Sequence, residues 1–229
     1  MWVKICGNTN LEDAALAAEL GADAVGFVFA PSVRQMTAAQ VAAITRELHG
    51  PVERVGVFHS LDVEEIARAV AEAGLTAVQL HGGLAEGLLE RLAQRFAGGV
   101  RMIQVLHWTV DNFGDGAAVE SAGQLAAQIE RVAALGLVDR VLIDSKVGGA
   151  TGGTGVAFDW SAARSVFASV GGVRMIVAGG LRPNNVAHAV AQLGPWGVDV
   201  SSGVEASPGR KDAALVAQFI ENARRVEMP

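Results

Sequence analysis

Short runs of β-branched residues alternate along the whole chain with longer stretches rich in alanine, leucine, glutamate and arginine. The short runs are typical of buried parallel strands, and the longer stretches of the crossover helices that join them. The pattern predicts strands at Val3–Cys6, Ala24–Phe29, Val55–Phe58, Ala77–His81, Arg101–Leu106, Arg140–Asp144, Arg174–Ala178 and Val198–Ser201. It predicts helices at Leu11–Leu20, Ala38–Leu48, Val63–Ala73, Ala85–Phe96, Ala122–Leu135, Trp160–Ala168, Asn184–Leu193 and Ala213–Val226.

An internal repeat favours a closed barrel. GGVRMIQV at Gly98–Val105 and GGVRMIVA at Gly171–Ala178 open the fifth and seventh predicted strands almost identically. Repeated strand–helix units indicate a (β/α)8 TIM barrel rather than the alternative, an open doubly wound sheet. Because 229 residues is the size of one such barrel, we expect residues 1–229 to form a single α/β catalytic domain. The longest irregular segment is expected at His107–Ser121.

Composition narrows the range of partners. The formal charge of −6, without any run of lysine or arginine, argues against nucleic acid and against an acidic membrane surface. No apolar stretch is long enough to span a bilayer, and the first residues lack a signal-peptide pattern. A lone cysteine cannot form an internal disulfide, so nothing indicates an oxidising compartment. We therefore expect a cytoplasmic protein that acts on a small molecule.

Cys6 closes the first predicted strand, immediately before a glycine. It is either a buried structural thiol or a catalytic base. Lys4 lies two residues earlier, so both side chains point to the same face of the strand. A nearby ammonium can lower the pKa of a thiol toward the working range of a general base.

Asp144 ends the sixth predicted strand after an apolar run. A carboxylate at such a place must be exposed, paired or protonated. It is either a helix cap or loop carboxylate, or a carboxyl with a raised pKa that donates a proton. Active sites of these barrels lie where strands end, which makes both Asp144 and Cys6 candidates.

Glycine-rich segments follow the last three predicted strands. They are GGTG at Gly152–Gly155, which contains Gly153, AGG with Gly179 and Gly180, and SSG with Ser202 and Gly203. Glycines let backbone N–H groups surround an anion, and loops after strands seven and eight often bind phosphate in barrels. A single pair would indicate only a turn, but the set predicts a site for a phosphorylated substrate.

Four further polar residues lie near predicted strand ends. Arg34, in the loop after the second strand, is either a solvated charge or a bidentate partner for a carboxylate. Gln79 and His81 in the fourth strand and Asp199 in the eighth can face the barrel mouth and bind substrate, or can satisfy neighbouring backbone.

A set of motifs, spread in a fixed order across nearly the whole chain, resembles the phosphoribosylanthranilate isomerase family of tryptophan biosynthesis. The motifs are VKICGNT, GFVFAPSVR, VGVF, VQLHG, LID followed by GGTG, FDW, VAGGLRPNNV and GVDVSSGVEASPGRKD. Glycine pairs recur in many phosphate-binding barrels, whereas KICG near the start together with GVDVSSGVE near the end is highly specific.

The resemblance implies an Amadori rearrangement of N-(5-phosphoribosyl)anthranilate that needs no cofactor and no metal. The matching positions make Cys6 the general base and Asp144 the general acid. Arg34 matches the residue that binds the anthranilate carboxylate, and Asp199 matches a polar position near the sugar. Gly179–Gly180 and Ser202–Gly203 match the phosphate loops. We expect a monomer or a homodimer.

Two departures from the family pattern bear on the site. Lys146 lies close to Asp144 in sequence, and a close ammonium would favour the carboxylate over the acid form, so we predict that Lys146 points outward. Arg182 stands before Pro183 where the family often has a helix-capping threonine or asparagine, which predicts the loss of a cap worth about 1 kcal/mol.

Two other functions fit parts of the pattern. A related phosphate-binding barrel acting on another aminosugar or a histidine-pathway intermediate should have a carboxylate in place of Cys6. A catalytically silent barrel that only binds a phosphorylated metabolite would have no need for Cys6, Asp144 and Arg34 together.

Overall fold

The computed structural model describes residues 1–83, 85, 87–110, 114–147, 160–169 and 171–225. Eight parallel strands close into a barrel in sequence order, with β8 paired to β1. The strands are β1 Trp2–Ile5, β2 Ala24–Val28, β3 Glu53–Phe58, β4 Ala77–Leu80, β5 Arg101–Val110, β6 Arg140–Val147, β7 Arg174–Ala178 and β8 Gly197–Val200. The closed barrel confirms the predicted fold class and excludes the open sheet.

A helix follows each strand, as the alternation predicts. The helices are α1 Leu11–Glu19, α2 Ala38–Thr45, α3 Val63–Ala73, α4 Leu88–Phe96, α5 Gly114–Ala134, α6 Trp160–Ser169, α7 Val186–Leu193 and α8 Ala213–Arg225. A short antiparallel pair, β9 Glu205–Ser207 and β10 Arg210–Lys211, lies between β8 and α8. Among the described residues, no helix combines the length and the hydropathy that a membrane span requires.

The region after the fifth strand differs from the prediction. β5 runs to Val110, which pairs with Val147 of β6, so β6 does not end at Asp144. The next helix already begins at Gly114, and the predicted irregular segment His107–Ser121 is therefore wrong; residues 111–113 lie outside the described residues. Trp108 explains the extension of β5, because its side chain is buried in the core and anchors the strand beyond Leu106.

The barrel interior is filled in layers. At the end where the strands begin, Arg140 is buried between the rings of Trp2 and Trp196, with its charge centre 4.8 and 5.1 Å from them. It pairs with Glu53, which is also buried. An apolar layer lies above this cluster and includes Ala24, Val55, Ala77, Ile103, Leu142 and Ile176. Lys4, Gln79 and Asp199 are buried polar residues on the other side of this layer, toward the barrel mouth.

Helix caps fix the entry of several helices. Thr37 and Gln40 form a reciprocal capping box at the start of α2, directly after the loop that carries Arg34. Asp62 accepts hydrogen bonds from two backbone N–H groups at the start of α3, and Asn10 accepts one at the start of α1. These contacts hold the strand-to-helix loops in place at the mouth of the barrel.

Candidate active site

A buried ionic network lies just beneath the barrel mouth. Lys4 is completely buried; its Nζ donates to Oε1 of Gln79 at 2.8 Å and pairs with Oδ2 of Asp199 at 3.0 Å. Burial disfavours the ammonium, but Asp199 and Cys6 together outweigh this effect and raise the pKa of Lys4. The other oxygen of Asp199, Oδ1, is buried and has no hydrogen-bond partner among the described residues. Asp199 Oδ1 can therefore accept a hydrogen bond from a hydroxyl group of a ligand above it.

Cys6 lies at the end of β1, directly above Lys4. The two side chains share the inward face of the strand, because a Cβ placed on Gly26 would lie 2.7 Å from Cys6 Sγ and 2.9 Å from Lys4 Cε. Burial raises the pKa of the Cys6 thiol, and Lys4 opposes this shift without overcoming it. The expectation that Lys4 brings the pKa of Cys6 down is thus wrong in net direction, since the enclosed site disfavours a thiolate more than one ammonium stabilises it.

Arg34 reaches across to the same side of the mouth. Its Cδ lies only 2.6 Å from where a side chain on Gly7 would begin, so Gly7 (φ +74°) lets the arginine pack over the end of β1. Glu205, at the start of β9, holds the guanidinium through Nε and Nη2. This hydrogen bonding raises the pKa of Arg34 although burial opposes it.

Glu205 and Lys211 have no role in the sequence prediction, although both lie in the last quoted motif. Lys211 is buried, and its Nζ donates to the carbonyl of Cys6 at 2.6 Å and to Glu205 at 3.1 Å. Burial alone would raise the pKa of Glu205, but Arg34 and Lys211 lower it overall. Burial lowers the pKa of Lys211 despite Glu205. In the sequence, nothing distinguishes Glu205 and Lys211 from charged residues on the protein surface.

Asp144 lies across the mouth from Cys6, on β6. Its side chain is 14% exposed, and Oδ2 lies 3.8 Å from Nε2 of His81, which follows β4. His107 of β5 is the register partner of Asp144, a position that the sequence prediction placed in a loop. His59, after β3, stacks on His81 with ring centroids 4.9 Å apart. Lys146 has its backbone in β6, but its side chain lies outside the described residues.

The glycines after β7 adopt backbone conformations that favour glycine. Gly179 and Gly180 have φ values of +88° and +64°, which turn the chain sharply at the mouth. Asn185 stabilises this turn, because its Nδ2 donates to the Gly180 carbonyl and its Oδ1 accepts the Arg182 N–H. The N-cap of α7 is Asn185 rather than Arg182, and no side chain caps the first turn of this helix by a hydrogen bond.

The loop after β8 packs directly against the loop after β7. A Cβ on Gly203 would collide with the carbonyl oxygen of Leu181, so only glycine permits this approach. The loop that contains Ser202 and Gly203 therefore lies against the segment that follows Gly179 and Gly180. Gly153 and the rest of GGTG lie outside the described residues.

Residues 3–222 match the family model described as N-(5′-phosphoribosyl)anthranilate (PRA) isomerase. The N-(5′-phosphoribosyl)anthranilate isomerase of Rubrobacter xylanophilus is 39% identical over 223 residues, which cover 97% of this chain and 98% of the relative.

Solved structures give the same result. Phosphoribosyl anthranilate isomerase from Thermotoga maritima superposes with a TM-score of 0.81 at 36% identity, covering 99% of this chain and all of that one. A phosphoribosyl anthranilate isomerase bound to reduced 1-(o-carboxyphenylamino)-1-deoxyribulose 5-phosphate superposes with a TM-score of 0.78, with the same identity and coverage. A further Thermotoga maritima structure, at a TM-score of 0.78, is of monomers generated from a dimeric enzyme.

Proposed function

The chain belongs to the N-(5′-phosphoribosyl)anthranilate isomerase family, and we propose that Cys6 and Asp144 divide the proton transfers of its reaction. The enzyme catalyses the Amadori rearrangement of N-(5-phosphoribosyl)anthranilate to 1-(2-carboxyphenylamino)-1-deoxyribulose 5-phosphate in tryptophan biosynthesis. The observation that carries the proposal is the placement of a buried thiol directly after β1 and a partly exposed carboxyl group in β6, both at one barrel mouth.

Asp144 acts as the general acid. It protonates the furanose oxygen, and the ring opens to a Schiff base. Asp144 stays accessible from the mouth while His81 stands beside it at 3.8 Å, so the carboxyl can regain a proton after each turnover. Cys6, as a thiolate, removes the proton from C2 of the sugar, and the resulting enolamine tautomerises to the ketone. A base whose pKa is raised by burial is scarce at neutral pH but strong once it is ionised.

The remaining candidates hold the substrate. Arg34 binds the anthranilate carboxylate with the edge of the guanidinium that Glu205 leaves open. Gly179, Gly180, Ser202 and Gly203, with Gly153, surround the phosphate. Asp199 accepts a sugar hydroxyl at Oδ1. Gln79 is buried against Lys4, and it supports the site from below while His81 borders it beside Asp144.

The proposal extends to the domain organisation, the cellular compartment and the oligomeric state of the enzyme. Closure of the barrel between β1 and β8 supports one catalytic domain over residues 1–229. The base is a lone thiol, which a reducing cytoplasm keeps reduced. The carried-over chemistry needs neither metal nor cofactor, and the substrate is a small phosphorylated molecule rather than a nucleic acid. Because the Thermotoga maritima relative is dimeric, we infer an assembly no larger than a homodimer.

Substitution of each proposed group tests the assignment. Cys6→Ser and Asp144→Asn preserve shape, and each should lower kcat by about 10²–10⁴-fold, the usual contribution of a general acid or base. Circular dichroism establishes that both variants fold. Rescue of a bacterium that lacks this isomerase, on medium without tryptophan, should succeed with the unaltered chain and fail with both variants. Near-normal turnover by either variant would remove that residue from the mechanism.

A further inference from the structure

Three side chains from neighbouring strands converge at one side of the mouth. His81 follows β4, His107 belongs to β5 and Asp144 to β6. One ligand-type atom from each, a ring nitrogen or a carboxylate oxygen, lies within 4.8 Å of the other two. Nε2 of His81 lies 3.8 Å from Oδ2 of Asp144. The sequence predicted Asp144 as the general acid and His81 as a substrate-binding residue, and it gave His107 no role.

The chemistry of this set matches a divalent transition metal. Two imidazoles and one carboxylate are the donors of many three-ligand zinc sites, which keep a fourth position open. With bonds of about 2.05 Å, ligand atoms on tetrahedral zinc stand about 3.4 Å apart. The His81–Asp144 separation of 3.8 Å is therefore close to that of a formed site, and small side-chain rotations bring the three donors together.

The surroundings fix the orientation of the central ring. His59 stacks on His81 at an interplanar angle of 11°, and His107 meets the same ring edge-on at 63°, both with centroids 4.9 Å apart. A ring held between two others loses little freedom when it binds a metal. The side chains of His81 and Asp144 are 20% and 14% exposed, so an ion can enter from the mouth.

We propose that His81, His107 and Asp144 form an inhibitory binding site for a divalent transition metal such as zinc. The inhibitory effect rests on the proposed function, because an ion there takes the Asp144 carboxylate in its ionised form and removes the general acid. It also occupies the space in which the sugar ring must lie. Zinc should therefore compete with the substrate rather than support turnover.

Isothermal titration of the purified enzyme with zinc chloride tests the site directly. We expect one zinc ion per chain. His107→Leu removes one ligand and should weaken zinc binding at least about tenfold. His49→Leu is the matched control, since His49 is an exposed histidine in the loop between α2 and β3, at the opposite end of the barrel; it should leave the affinity unchanged. Equal zinc affinity of His107→Leu and the unaltered enzyme would overturn the proposal.

Two further variants separate the alternatives. Cys6→Ser should still bind one zinc ion; binding that is lost in Cys6→Ser and kept in His107→Leu would assign the ion to the thiol and overturn the proposal. His59→Leu removes the stacked ring without removing a ligand, so it should keep the one-to-one stoichiometry. The melting temperature of each variant, measured with EDTA, establishes that loss of binding is not loss of folding.

Enzyme assays complete the test. Zinc should inhibit the unaltered enzyme competitively and EDTA should restore it, with His107→Leu requiring at least about tenfold more zinc relative to its own activity in EDTA. Noncompetitive inhibition would contradict a site at Asp144. An active Asp144→Asn enzyme would refute the proposed acid, whereas the zinc titrations decide the metal site independently of that result.

Discussion

Glu205 holds the guanidinium of Arg34 by two parallel hydrogen bonds, Nε to Oε1 at 2.7 Å and Nη2 to Oε2 at 2.5 Å. The pair joins the loop after β2 to the segment after β8, far apart in sequence. It fixes the plane of the guanidinium, and among the described residues Nη1 makes no hydrogen bond. The arginine is thereby pre-oriented to present its outer edge to a carboxylate.

Loss of this orientation should weaken substrate binding. Arg34→Ala removes a charge-assisted contact worth about 1.5–3 kcal/mol, so KM should rise about 10–100-fold. Glu205→Gln keeps the size of the side chain but not its charge, and should raise KM by a smaller factor because the guanidinium is held less firmly. Steady-state kinetics of both variants measures the effect. An unchanged KM in Arg34→Ala would exclude the carboxylate role.

The raised pKa of Cys6 predicts how activity depends on pH. Burial raises the pKa of the Cys6 thiol above the ordinary thiol pKa of about 8.5. The thiolate fraction is therefore small at neutral pH and grows as the pH rises. The rate of Cys6 alkylation by iodoacetamide should therefore increase through pH 9, and kcat/KM should have its base-dependent limb on the alkaline side. An alkylation midpoint clearly below about 8.5 would contradict the burial effect.

The Lys4–Asp199 pair should matter for both stability and the thiol. Lys4→Met leaves the Asp199 carboxylate buried without its cation, which should cost about 3–5 kcal/mol in the free energy of unfolding. It also removes the ammonium that partly offsets burial at Cys6, so alkylation should shift to still higher pH. Urea unfolding measures the first effect. The double variant Lys4→Met/Asp199→Asn should regain part of the stability; a double variant no more stable than Lys4→Met would argue against an unpaired carboxylate as the cause.

At the opposite end of the barrel, Glu53 should affect stability without affecting chemistry. Glu53→Ala leaves the guanidinium of Arg140 buried with neither of its carboxylate contacts, a change expected to cost about 3–5 kcal/mol. The cluster lies below the apolar layer of the barrel, far from the mouth, so kcat/KM of the folded variant should stay within about twofold. Thermal unfolding and kinetics at low temperature measure both quantities, and a large fall in kcat/KM would show coupling across the barrel.

The sequence predicts elements whose signal is local. Strand and helix positions follow from hydrophobic period and turn residues, and β7 and α3 match their predicted bounds. β5 and β6 run past their predicted ends because each extends along the other, and pairing between strands leaves no trace in either sequence alone. The fold class itself follows from the repeated alternation.

The site divides in the same way. Cys6 and Arg34 stand at a strand end and in a loop, and Asp144 follows an apolar run within β6, so each is noticeable as an unusual residue. Glu205 and Lys211 act through partners nearly the length of the chain away, Arg34 and the Cys6 carbonyl. The net direction of the Cys6 pKa depends on how far burial exceeds one ammonium, a balance that only three-dimensional packing sets.

Gly203 offers a test of the phosphate loops. Alanine at this position would drive its Cβ into the Leu181 carbonyl, so the backbone must shift and separate the loops after β7 and β8. KM should rise at least about tenfold, and competitive inhibition by inorganic phosphate should weaken by a similar factor. Gly171→Ala is the matched control, because a Cβ there meets nothing within 4 Å and the residue precedes β7 at the other end of the barrel. Unaltered phosphate inhibition in a folded Gly203→Ala enzyme would mean that the close contact of the two loops does not build the phosphate site.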